Sequence, residues 1–218
     1  MSTTETKRSW THCRVERRNL RYCHVTFDHP PINTITATTA AELGDLVGLI
    51  EQDPDLRVVV FDSANPDFYL AHYDLENDPS RTEALGGGPM ARLSRLVGRG
   101  RALEILLVAD DLDGPRAEQY GYVNRLIADD QLGAEVEAIA SRLARFDHDA
   151  IARTKSYVDQ VTLPDNSELG PPWNDFLELF RRPAQQAQSA RLRELGLNTD
   201  GEFERSLGRR LVESFPDA

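Results

Sequence analysis

The sequence predicts an α/β fold in which paired strands, a helix and a third strand are followed by a chain that is almost all helix. Three observations carry this. Cys23, Val25 and Phe27 alternate with Tyr22, His24 and Thr26, the period of two that belongs to a half-buried strand. Leu43, Leu46, Val47 and Ile50 fall on one stripe at helical spacing. Leu132, Val136, Ile139, Leu143 and Phe146 repeat that helical spacing late in the chain.

In chain order, residues 1 to about 11 are polar and read as a loose arm. Cys13 to Arg18 and Arg21 to Phe27 read as two strands of a hairpin joined by Asn19 and Leu20. The HPPIN stretch at 29–33 must interrupt regular structure, because Pro30 and Pro31 lack amide donors and push their predecessors towards extended backbone. A helix over Thr36 to Gln52 ends before Pro54, and an apolar strand follows at Leu56 to Phe61. Helices are expected at Arg92 to Val97 and Arg101 to Val108, and Pro115 to Tyr120 leads through Gly121 into a short strand at Val123 to Ile127. Ile151 to Val161 continues helically, and Pro164, Pro171 and Pro172 mark a connector. Helices near Trp173 to Phe180, Pro183 to Leu195 and Phe203 to Val212 complete the chain. This organisation divides the chain into an α/β core over 1–128 and a helical region over 129–218.

Composition narrows the function classes. A chain of 218 residues with 40% hydrophobic and 28% charged residues has enough apolar material for one sizeable core. A formal net charge of -11 argues against a nucleic-acid partner and against an anionic membrane surface, both of which favour basic patches. Arg92, Arg95, Arg99 and Arg101 read as the solvated face of an amphipathic helix. Cys13 and Cys23 match no common zinc or redox spacing, so reduced thiols and a cytoplasmic location are expected. The opening MSTTETKRSW lacks the apolar stretch of a secretory signal, and no run reaches the length of a membrane span. The five histidines show no metal-ligand spacing, so no metal is expected, and Ser94 lacks the setting of a hydrolase elbow. Trp10, Trp173, Phe176 and Phe180 read as core or subunit contacts.

Two passages carry more specific information, FYLAHYDL at 68–75 and LGGGPMARLSRLVGRGRALE at 85–104. Taken with VTFDHPPIN at 25–33, AEQYGYVNRLI at 117–127 and AIARTK at 150–155, they occur in an order that resembles the crotonase superfamily, the enoyl-CoA hydratase/isomerase family. The resemblance runs over nearly the whole chain. It implies a spiral of strand-strand-helix units with a helical C-terminal oligomerisation region, and an acyl-CoA thioester as ligand. It also implies a homo-oligomer, a trimer or dimer of trimers, with no cofactor beyond the coenzyme A of the substrate. The implied chemistry is enolate stabilisation, in which fixed backbone amides hold the charge that develops on the thioester oxygen, for hydration or double-bond isomerisation.

By residue match, the first oxyanion donor would be the backbone amide of Tyr73, with Leu70, Ala71, His72 and Asp74 beside the ligand. Outside that family context, the HYD triplet reads as a polar loop capping a strand. Only about ten residues separate the two passages, where family members carry a long catalytic segment, so the core is internally shortened near 76–86. The second oxyanion glycine and its following glutamate are not found, and Glu83 is the nearest acid/base candidate. Gly86, Gly87 and Gly88 would offer amides to an anion, although GGG matches no phosphate-loop pattern and reads better as a flexible turn. Two functions therefore stand side by side. One is an acyl-CoA hydratase or isomerase with a compressed site. The other is a catalytically inactive homologue that binds CoA or serves as an assembly subunit, or a non-functional deletion product.

Overall fold

The computed structural model describes residues 10–74 and 88–215. Strands β1 (Cys13–Asn19) and β2 (Tyr22–Phe27) form an antiparallel hairpin whose register runs from Cys13 opposite Phe27 to Asn19 opposite Tyr22. Helix α1 (Ala37–Glu51) then crosses to β3 (Val58–Ser63), which pairs in parallel with β2. The sheet order is β1-β2-β3. A parallel neighbour requires a crossover connection, and α1 provides it.

The sheet begins later at β3 than the apolar run suggests. Asp53 Oδ1 accepts from the amides of Asp55 (3.0 Å) and Leu56 (3.1 Å), a local turn that withholds both residues from the ladder. Helix α1 starts at Thr36, whose hydroxyl accepts from Thr39 N (3.2 Å) while the Thr39 hydroxyl accepts from Thr36 N (3.1 Å). This reciprocal cap satisfies two amides that a helix start leaves over. Leu46 from α1 joins Cys13, Cys23, Val25, Phe27 and Leu56 in the main core, with Trp10, Leu43, Ile50 and Leu70 packed around it. Val47 leaves the expected stripe and stands 49% exposed. Burial, then the Glu42 carboxylate nearby, pushes the Cys13 thiol up to about 11, so this cysteine is an inert core side chain.

The helical part comprises α2 (Gly88–Val97), α3 (Arg99–Val108), α4 (Gly114–Tyr120), α5 (Asp129–Leu143), α6 (His148–Thr162), α7 (Asn166–Phe180), α8 (Pro183–Leu195), α9 (Glu202–Arg205) and α10 (Leu207–Arg210). A 3-10 turn at Leu211–Ser214 ends it. The expected strand at Val123 to Ile127 is absent. After the left-handed Gly121, the amides of Tyr122 (2.9 Å) and Val123 (3.4 Å) both return to Ala117 O, and Leu126 N donates to Glu118 Oε1 (3.0 Å). The segment folds back on α4, where these three backbone donors are used.

The expected connector at Pro164 to Pro172 is also overturned in part, because α7 runs through Pro171 and Pro172. A capping box between Asp165 and Glu168 starts this helix, and Trp173, Phe176 and Phe180 stack along it at 5.4 and 5.9 Å between successive ring centroids. Conversely, the expected helix at Phe203 to Val212 breaks at Ser206, whose backbone (φ -127°, ψ 29°) is not helical. Arg92, Arg95, Arg99 and Arg101 are exposed, as expected. Arg95 forms a forked pair with Glu168 (2.8 Å to each oxygen), and Arg101 lies over the Tyr120 ring.

Candidate active site

The loop that follows β3 is built around Asn33. Its left-handed backbone (φ 55°) is one that asparagine tolerates better than most residues, and its side chain is buried. Asn33 Oδ1 accepts from His29 N (2.7 Å), while Nδ2 donates to Ser63 Oγ (2.9 Å), Tyr69 O (3.1 Å) and Phe68 O (3.3 Å). Ser63 Oγ in turn donates to Phe68 O (2.6 Å), and Asn65 Nδ2 donates to Pro31 O (2.7 Å). The HPPIN turn, which contains a cis Pro30–Pro31 bond, is thereby stitched to residues 63–69. Neither Asn33 nor Ser63 was singled out from the sequence. The signal lay in the turn itself, since an asparagine after two prolines suits a left-handed corner.

Downstream, the chain forms one parallel bridge between Ile35 and Tyr73. Ile35 N donates to His72 O (3.1 Å), and Asp74 N donates to Ile35 O (2.8 Å). In a trans peptide the C=O and N–H point in opposite directions. Because His72 C=O faces Ile35, the Tyr73 N–H faces the other edge. By the same reasoning at the next peptide, Tyr73 C=O also faces that edge. The expected donor therefore sits on a fixed, hydrogen-bonded backbone and is directed away from its neighbour strand.

The other sequence-singled residues are placed as follows. Leu70 is half-buried against the main core, Ala71 donates its amide to Asn33 O (3.4 Å), and Asp74 is buried. Gly88 is the first residue of α2, where an added Cβ would stand 3.1 Å from Arg92 Cδ. Glu83, Gly86 and Gly87, like the expected shortening at 76–86, lie outside the described residues.

His72 has a partner that the sequence did not suggest. Its Nε2 lies 3.0 Å from Glu204 Oε1, and the Glu204 side chain is only 2% exposed. The approach is oblique to the ring N–H, an ion pair rather than an in-line hydrogen bond. His72 Nδ1 donates to Tyr73 O (2.7 Å), since a carbonyl has no proton to give. Burial alone would lower the His72 pKa, but Glu204, the Tyr73 carbonyl and Asp74 outweigh it and raise the value above the ordinary histidine range. Glu204 Oε2 also accepts from Asn198 N (2.9 Å), and next to it Arg205 pairs with Asp67 (3.0 Å) and with Asp200 (2.6 Å). The C-terminal segment thus docks against the loop. Glu204 was not visible as a site residue in the sequence, because its relation to His72 exists only in three dimensions.

Among the described residues no cluster of three or more His, Cys, Asp and Glu side chains could hold a metal ion. Nor is any helix among them long and apolar enough to cross a membrane.

Comparison with known proteins places this geometry. No family model matches the chain. A probable enoyl-CoA hydratase of Mycobacterium tuberculosis, EchA12, is 33% identical over 103 residues, 45% of this chain and 36% of that protein. A probable enoyl-CoA hydratase of Rhizobium meliloti is 33% identical over 75 residues, covering 34% and 29% respectively. The chain spans about a third of the length of the curated relatives it matches. Among solved structures, a candidate enoyl-CoA hydratase from Streptomyces avermitilis matches with a TM-score of 0.88 and 26% identity over 97% of this chain and 99% of that one. An enoyl-CoA hydratase from Mycobacterium avium subsp. paratuberculosis shares the fold at a TM-score of 0.71 and 19% identity, over 80% and 96% of the two chains. The mixed, helix-rich architecture with its small sheet is therefore the fold seen in enoyl-CoA hydratases. The curated relatives and the solved structures together support the crotonase superfamily for this chain.

Proposed function

We propose that the protein binds an acyl-CoA thioester with its carbonyl oxygen at the Tyr73 amide, and that it stabilises the enolate form of that thioester. The observation that carries this reading is the Ile35–Tyr73 bridge, which fixes the direction of the Tyr73 N–H before any ligand arrives. A donor held in place costs no reorganisation when charge develops on the oxygen, which is the physical basis of an oxyanion hole. Hydration and double-bond shift both pass through such a charge, and both need a group to move a proton. Glu83 is the acid proposed for that role. With one family donor not found in the sequence, turnover is expected to be about 10²- to 10³-fold below that of a complete site.

The test combines a titration with free CoA and crotonyl-CoA and an absorbance assay for loss of the conjugated thioester. Binding together with turnover above the uncatalysed rate supports the enzyme reading, and Glu83→Gln then abolishes the turnover. Absence of crotonyl-CoA binding removes the reading altogether.

A second reading, an inactive homologue that acts as an assembly subunit, rests on a separate observation. Helix α6 has no buried residue, and Tyr157 (68%), Val158 (53%) and Val161 (80%) stand exposed on it. Leu132, Ile139, Leu143 and Phe146, from the apolar stripe read in the sequence, are exposed on and just after α5. Apolar faces of this kind are normally covered by association. In this reading a homo-oligomer forms, a trimer or dimer of trimers as in the resemblance, and crotonyl-CoA binds without turnover.

A further inference from the structure

The geometry points to a positioning relay, Glu204 to His72 to the Tyr73 carbonyl, by which the C-terminal segment sets the electrostatics of the edge that presents the Tyr73 amide. The inference rests on the acyl-CoA reading above for its ligand, and on the described side chains for its mechanism.

Tyr73 N–H and Tyr73 C=O face the same edge, because the two ladder bonds to Ile35 use the carbonyl before and the amide after this residue. An exposed carbonyl beside an anion site repels the anion that the amide attracts. His72 Nδ1 occupies that carbonyl at 2.7 Å, so its lone pair is engaged by an N–H. On its other side the ring is held by Glu204 at 3.0 Å. With Nδ1 donating to a carbonyl and Nε2 beside a carboxylate, the ring carries both protons. A ring so placed holds no lone pair for proton abstraction, so His72 is a positioning residue and not a general base.

Glu204 belongs to a segment with its own anchors. Asn198 N fixes the second carboxylate oxygen, and Arg205 reaches Asp67 across the loop. Among the described residues the charged groups facing His72 are Glu204 from α9 and Asp74 from its own loop, both of which favour the protonated ring. When the ring loses its proton, Nδ1 and Nε2 compete for the single one that remains. The Tyr73 carbonyl or the Glu204 carboxylate is then left facing a lone pair, and the edge becomes more negative.

The experiment uses the full chain and two probes, butyryl-CoA, a saturated thioester with no double bond to hydrate, and free CoA, which lacks the thioester carbonyl. Nuclear magnetic resonance follows the His72 ring and the Tyr73 backbone amide between about pH 5 and 9, spanning the ordinary histidine range. The Tyr73 amide signal is expected to move with the His72 titration, at a midpoint that Glu204→Gln lowers. The ratio of butyryl-CoA to CoA affinity is expected to fall about tenfold as His72 deprotonates, the scale of one charge-assisted hydrogen bond. His72→Gln, whose amide N–H is still a donor for the carbonyl, is expected to remove the pH step while retaining part of the affinity. Arg205→Ala, which breaks the neighbouring pairs with Asp67 and Asp200 and leaves Glu204 and His72 unaltered, is expected to leave the step in place. A Tyr73 signal that ignores the His72 titration, or a ratio that stays flat with pH, overturns the relay. If neither probe binds while the Tyr73 signal still follows His72 and shifts in Glu204→Gln, the acyl-CoA reading fails and the relay is upheld.

Discussion

At the scale of single residues, two side chains hold the candidate site, Asn33 from before and Glu204 from behind. Asn33 makes four hydrogen bonds from one buried amide, and no other side chain at that left-handed corner reproduces them. Asn33→Ala is expected to destabilise the protein by about 2–3 kcal/mol, because it strands buried polar groups, and chemical denaturation measures this directly. His72 adds a pH dependence with a definite sign. Its folded pKa is raised, so its contribution to stability is complete below the unfolded value of about 6.5 and is lost as pH rises through the higher folded value. The melting temperature is therefore expected to fall across that interval, and the fall is expected to be smaller in His72→Gln. Glu42 works in the opposite direction. Burial alone would raise its pKa, but the hydroxyl and amide of Thr11, the amide of His12 and the Cys13 thiol together lower it. That contribution is present above the unfolded carboxylate range and is lost as pH falls through the depressed value.

At the scale of elements, period and punctuation were legible and tertiary docking was not. The hairpin, α1 and the helix from Pro183 to Leu195 follow from alternation, helical spacing and the position of proline. The strand expected at Val123 to Ile127 has the right residue types but no strand partner among the described residues, and the amides of Val123 and Leu126 are bonded to α4 instead. The bound carried by Pro171 and Pro172 failed because α7 has its own cap before them and an aromatic stack after them. Of the candidate site, FYLAHYD announced the Tyr73 loop, whereas its two supports were out of reach. Asn33 acts through backbone groups that share no pattern with it, and Glu204 meets His72 only because the chain returns. Helix α10 shows how tight that return is. Asp111 accepts from Gly208 N (3.0 Å) and from Arg209 Nε (3.2 Å), and a Cβ at Gly208 would stand 2.5 Å from Asp111 N and 2.9 Å from Asp110 C. These contacts are with backbone and cannot swing aside. Gly208→Ala is expected to cost about 1–3 kcal/mol, the range for overpacking, and to raise proteolytic cleavage near residue 208.

At the scale of the molecule, the described residues form three separate apolar clusters, around the sheet, between α2 and α3, and between α8 and α9. Much apolar surface remains outside them, including Leu107 (77%), Val108 (66%) and Val161 (80%). If self-association covers the α6 face, Val161→Asp is expected to shift the protein to smaller species in sedimentation or light scattering, with its helical content unchanged. An unchanged mass in Val161→Asp excludes that face from the interface.

The ion pair between His72 and Glu204 also carries a consequence in time. A ribosome releases His72 and the rest of its loop long before it has made Glu204, so throughout that interval the imidazole lacks its Glu204 partner. The residues of the hairpin, α1 and the Asn33 corner have all been made by then, and the loop still lacks its tether to α9. A protease that cleaves within residues 66–74 is therefore expected to distinguish chains stalled before residue 204 from released ones, with protection arriving only as synthesis passes α9.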